Sequence, residues 1–256
     1  GAPLRVEAGD LGDIGFRDCT FEGPADTLVH VPRIGQSNFV HFRNCRFEGA
    51  PKGLVLGSIG EGLLDLSGCS FLRLSEAGLW HEESAPGSSY DLKSGEVSGS
   101  RFEDCGTAIR WRDLSGWGGA RSFVQLTRDT LSNCTGDGMV LSVVGLVTID
   151  QCVVSGSHGD GAVLLADRLT GPAPSLSWNH TITRSRFVDN HGAGLALRDT
   201  SVTDPASAPW PTGLVQSCTF EHNGGAGLEL GGLEWSVQGC IAYANGGDGI
   251  ACTTLA

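Results

Sequence analysis

Basic residues are scarce in this chain: 17 Lys and Arg stand against 29 Asp and Glu, for a formal charge of −12. A phosphate-backbone partner needs clustered cations, so nucleic acid is set aside as a ligand. The same deficit suits an anionic membrane surface poorly, and no apolar run reaches the length of a spanning helix, so no membrane partner is expected. The start at Gly1 lacks a basic segment followed by an apolar stretch and a small-residue cleavage site, so no signal peptide is read there. Tyr is limited to two residues and Met to one, whereas Gly reaches 39 and Pro 10. That balance suits a fold made of turns and disfavours long helices. None of the nine cysteines forms a Cys-x-x-Cys pair, which speaks against a zinc site.

What is present is a repeat. A short anchor recurs at Cys19-Thr20-Phe21, Cys45-Arg46-Phe47, Cys69-Ser70-Phe71, Ser100-Arg101-Phe102, Asp129-Thr130-Leu131, Cys152-Val153-Val154, Ser185-Arg186-Phe187, Cys218-Thr219-Phe220 and Cys240-Ile241-Ala242. Three residues before each anchor lies an apolar position: Phe16, Phe42, Leu66, Val97, Leu126, Ile149, Ile182, Val215 and Val237. After each anchor comes a second apolar stretch, usually opened by Gly, as at Gly53, Gly78, Gly138, Gly194, Gly227 and Gly249. Each unit thus holds three short strand-like segments. Roughly 22 to 33 residues per unit leave no room for crossover helices, so the segments must stack coil upon coil. The expectation is an all-β chain, a single domain over 1–256 built as a right-handed parallel β-helix of about nine coils, and conceivably a portion of a longer chain.

This pattern, from about Leu11 to Cys252, resembles the pectin lyase-like superfamily and its parallel β-helix repeat. The resemblance is specific for fold. It implies no single activity, because that fold carries lyases, hydrolases, epimerases, adhesins and recognition domains. An Asp-Pro-His-Glu run as in alginate epimerases is absent, as is a paired Asp-Asp with Gly-His-Gly as in polygalacturonase-type hydrolases. No family catalytic residue is therefore carried over.

Like residues at like offsets predict ladders. Cys19, Cys45 and Cys69 share one inward slot, as do Cys218 and Cys240, while Cys105 and Cys134 form a corner pair; reduced core thiols are expected in preference to disulfides. Asn190, Asn223 and Asn245 predict an amide ladder. His30, His81 and Trp111 are read into the inward slot of the second apolar stretch, the histidines held by backbone groups. His158 and His191 share a corner near Asp137 and Asp160. A calcium ion or a His–Asp pair could occupy it, and backbone hydrogen bonds of ordinary turn residues explain it as well. No metal ligands are assigned, and the cofactor is unknown with calcium as the open alternative.

The excess length of coils three, four, six and seven falls at one junction, in Glu82 to Gly95, Asp113 to Arg121, Asp167 to Trp178 and Asp199 to Thr212. Insertions along one edge of a rigid scaffold predict a loop-walled groove. Alternation along the second stretch places Glu82, Arg110, Arg112, Arg198 and Glu229 outward beside Trp80. Trp80, Trp117, Trp178 and Trp210 are candidate sugar platforms, or local loop cores. Glu82, Arg110, Arg112 and Arg198 are candidate catalytic residues, since proton abstraction beside a uronate needs a base and a cation that neutralises the carboxylate. A surface ion pair of Glu82 with Arg110 and Arg112, one coil on, is the stronger reading of that group. Two functions follow: a carbohydrate-active β-helix that binds or cleaves an extended, conceivably uronic polysaccharide, with an extracellular or periplasmic location; or a non-catalytic structural module that holds a protein partner.

Overall fold

A computed structural model of the chain describes residues 4–5, 13–34, 39–59, 62–83, 93–113, 122–143, 145–166, 179–199, 212–231 and 235–253. No helix occurs among them. Each coil contributes one strand to each of three parallel sheets. The lead sheet runs in nine strands from Ile14–Arg17 to Trp235–Gln238, the anchor sheet in nine from Thr20–Glu22 to Ile241–Tyr243, and the wide sheet in ten from Leu4–Arg5 to Ile250–Thr253. In every sheet a strand pairs with the equivalent strand of the next coil, so the chain is a right-handed parallel β-helix of nine coils.

The register keeps each predicted row intact. Phe16, Phe42, Leu66, Val97, Leu126, Ile149, Ile182, Val215 and Val237 are successive partners through the lead sheet. In the anchor row Phe47, Phe71 and Phe102 stack nearly coplanar, with centroids 4.5 Å apart at each step. That spacing is close to the inter-strand repeat, so ring stacking and backbone pairing are satisfied by one translation. All three rings are fully buried.

Corners between strands are tight because the backbone turns left-handed there. Asp18, Asn44, Gly68, Gly99, Arg128, Gln151, Arg184, Ser217 and Gly239, one per coil between lead and anchor strands, have φ between 51° and 64°. Six of the nine carry a side chain against the usual preference. They hold because their N–H groups stay in the ladder, as in Asp18 N to Arg43 O and Asn44 N to Ser67 O, both 2.9 Å.

Inside, side chains of one coil serve the backbone of the coil before it. Ser100 Oγ accepts from Cys69 N at 3.1 Å, Asp129 Oδ1 from Ser100 N at 2.7 Å, and Ser185 Oγ from Cys152 N at 3.1 Å. The asparagines repeat this: Ser157 N donates to Asn190 Oδ1, Asn190 N to Asn223 Oδ1 and Asn223 N to Asn245 Oδ1. All nine cysteines are free thiols, and burial pushes Cys69 up to about 11 and Cys105 and Cys152 up to about 12.

One expected placement fails. His30 is half-buried on the outer face, where it pairs with Val55, while its neighbours Val29 and Val31 are fully buried. Leu28 occupies the slot that Gly53 and Gly78 take in the following coils, so counting from the apolar onset runs one residue early. The crowding behind that slot explains the usual Gly: a Cβ on Gly161 would meet Gly194 O at 2.5 Å and Asn190 Nδ2 at 2.8 Å. His81 does face inward, fully buried against Trp111 with centroids 4.6 Å apart.

Trp111 fits the core because the facing lead strand has Gly95, where a Cβ would lie 2.5 Å from Trp111 Cη2. Gly95→Ala should therefore destabilise the protein by about 1–3 kcal/mol through overpacking, and Trp111→Leu in the same chain should recover most of it. Chemical denaturation of the two single variants and the double variant measures the coupling.

Asp129 is 1% exposed and burial raises its carboxyl to about 7, although Ser100 N and Thr127 N both donate to it. An unfolded Asp titrates near 3.9. Because the folded value is the higher one, this group's stabilising contribution is complete below pH 4 and lost as pH rises through 7. Asp129→Ser, the residue type at Ser100 and Ser185, should flatten thermal stability between pH 5 and 8 and raise Tm at pH 8.

Candidate functional site

Each of the four long segments joins a strand of the wide sheet to the next strand of the lead sheet, so all four leave from one edge. The outer faces of those two sheets flank that edge. Trp117, Trp178 and Trp210 lie outside the described residues, as does the Glu82 side chain, whose backbone pairs with Arg112.

On the wide sheet, Trp80 and Arg110 are register partners on adjacent coils and both point outward. The Arg110 guanidinium carbon lies 4.6 Å from the Trp80 ring centroid, and Lys52 Nζ lies 5.4 Å from it. Lys52 is in turn tied to Glu76 at 2.9 Å and Asp26 at 3.5 Å, which raises its pKa, the Glu76 hydrogen bond being the main cause. The indole is thus a seat for two cations. Arg110 is exposed, and among the described residues no carboxylate pairs with it. Arg112, two residues on, is half-buried.

Arg198 belongs to a different group. Glu82, Arg112, Ser142, Leu165 and Arg198 are successive partners, which puts Arg198 three steps beyond Arg112, about 14 Å at the usual strand spacing. Arg198 sits between Asp160 at 2.8 Å and Glu229 at 3.2 Å, and these carboxylates raise its pKa despite opposing desolvation. Its charge is spent within the protein. A small crevice at the same edge is lined by Leu164, Leu197, His180, Trp235 and Arg198. His180 is buried there, its Nδ1 accepting from Val147 N at 3.3 Å, and burial lowers its pKa to about 4, so the ring stays neutral.

At the corner near Asp137 both carboxylates bond to backbone. Asp137 Oδ1 accepts from Asp160 N at 2.8 Å and Asp160 Oδ1 from Ala193 N at 2.6 Å, so each carboxylate ties one coil to the next. His158 and His191 stack beside them with centroids 4.8 Å apart. Among the described residues no group of three or more His, Cys, Asp or Glu side chains is placed to hold a metal ion.

A second cluster, which the sequence reading passed over, lies on the lead sheet. His41 Nδ1 is 3.1 Å from Asp65 Oδ2, and Arg43 Nη2 is 3.5 Å from the same oxygen. Phe39, 38% exposed, lies parallel to the His41 ring at 5.9 Å. His41 and Asp65 each directly precede an inward member of the apolar row, Phe42 and Leu66, so their shared outward offset was the available signal.

No family model matches the chain, and no curated protein matches it in sequence. Among solved structures it is similar to the A-module of the Azotobacter vinelandii mannuronan C-5 epimerase AlgE4, with a TM-score of 0.59 and 13% identity over 96% of this chain and 70% of that one. A likeness at that identity is one of fold, that of a right-handed parallel β-helix.

Proposed function

We propose that the chain binds an extended, carboxylate-bearing polysaccharide along its loop-bearing edge, with Arg110 as the carboxylate contact. One observation carries this reading: in a chain of net charge −12, an exposed guanidinium lies over the ring of an outward Trp80 with no carboxylate partner among the described residues. A guanidinium seated over an indole keeps N–H donors for a second partner, and a carboxylate matches that fork. The shared fold with an epimerase acting on mannuronan supports an acidic polymer as ligand.

Chemistry at the same place would be proton transfer next to the sugar carboxylate. Arg110, seconded by Arg112, would neutralise that group so that the proton on the adjacent carbon can be removed. Glu82, whose backbone pairs with Arg112, is the base this reading names. Trp117, Trp178 and Trp210, in the long segments, are its sugar platforms.

Titration calorimetry with hexamers of mannuronate and galacturonate, against a neutral cello-oligosaccharide, tests the binding. The acidic hexamers should bind and weaken with salt, and Arg110→Ala should cost about tenfold in affinity, or about 1.4 kcal/mol. Equal binding of the neutral oligomer, or an Arg110→Ala variant that binds as before, removes the reading. Trp117→Ala, Trp178→Ala and Trp210→Ala should each weaken the same titration without unfolding the protein.

A further inference from the structure

We propose that Arg17, Phe39, His41, Arg43 and Asp65 form a second binding site, for one carboxylate-bearing sugar ring, on the outer face of the lead sheet. The ligand class rests on the polysaccharide reading above, while the site itself stands on other residues. Each member supplies a separate part of the recognition.

Asp65, when ionised, can only accept hydrogen bonds, so the 3.1 Å contact makes His41 Nδ1 the donor. The ring is thereby oriented with Nε2 pointing away from Asp65, where it can bond a sugar hydroxyl, which both donates and accepts. Phe39 lies within 7° of parallel to that ring and is among the most exposed large apolar side chains of the described protein. An aromatic face beside an oriented ring nitrogen matches a pyranose, which has apolar C–H faces and hydroxyls at its rim.

The outward arginines give an anion its contact. Arg17 and Arg43 are register partners on adjacent coils, so two guanidinium groups share one outward row, beside the row that holds Asp65 and its register partner Glu96. Arg17 is exposed and has no carboxylate partner among the described residues. Like charges in register repel unless solvent or an anion screens them, and the carboxylate of the bound sugar fills that role here. The cluster lies on the far side of the loop-bearing edge from Trp80 and Arg110, so one short oligosaccharide contacts one site or the other.

The test counts sites. Titration calorimetry with a galacturonate trimer on the whole chain should give two binding equivalents. Phe39→Ala and His41→Ala should each weaken one class of sites by about tenfold and leave the other unchanged, and Arg110→Ala should do the reverse. Asp65→Asn should weaken the same class as His41→Ala. Far-ultraviolet circular dichroism and Tm check that each variant is folded, and Arg17→Ala, an exposed change, gives an independent reading if Phe39→Ala disturbs the strand. A single equivalent lost in Arg110→Ala and untouched in the Phe39, His41, Arg17 and Asp65 variants overturns this inference and spares the reading above. One equivalent lost in the Phe39 and His41 variants but kept in Arg110→Ala supports it and overturns the Arg110 assignment. No binding to the unaltered protein overturns both.

Discussion

Pairing between equivalent positions of neighbouring coils is the constraint on which everything else here depends. A parallel strand whose partner is the same strand one coil later must repeat every side-chain direction at about 4.8 Å. Backbone hydrogen bonds fix that step, and the side chains have to accept it. Phenylalanines accept it by stacking face to face, asparagines by bonding amide to backbone, and cysteines by being small and apolar. Apart from Asp129, charged groups accept it on the outer faces, where opposite charges gather, as Arg46 and Arg73 do around Glu48, or where water screens like ones.

The same constraint made the fold readable in the amino-acid sequence. Rows such as Phe47, Phe71 and Phe102 announce themselves because one inward slot tolerates few residue types. The corners were not readable. Left-handed backbone normally advertises itself through Gly, yet six of the nine lead-to-anchor corners carry Asp, Asn, Arg, Gln or Ser, since an unbroken hydrogen-bond ladder outweighs the local preference. His30 was misplaced for a related reason: Leu28 fills a slot that other coils give to Gly, and the apolar run then begins one residue before the strand's inward phase.

Of the candidate site, direction was legible and company was not. Alternation put Trp80, Arg110, Arg112 and Arg198 on the outer face, where they are. Whether an arginine is spent or available depends on neighbours from other coils: Asp160 and Glu229 hold Arg198, whereas no carboxylate pairs with Arg110 among the described residues. Such pairings join residues dozens of positions apart. His41 and Asp65, 24 residues apart, meet only because the second coil returns the chain to the same row.

The buried ladders that tie coil to coil through Asn, Ser and Asp129 side chains point one way, while the corner carboxylates Asp137 and Asp160 point the other. Asn245 serves Asn223, which serves Asn190, which serves Ser157, and Asp129 serves Ser100 in the same sense. The solenoid therefore has a grain. A coil made early holds buried amide donors that stay unanswered until its successor arrives, so during synthesis completion of each turn waits on the next. Fraying from the C-terminal side strips these side-chain acceptors from the coil beneath, whereas loss of an N-terminal coil leaves the donors of these ladders answered.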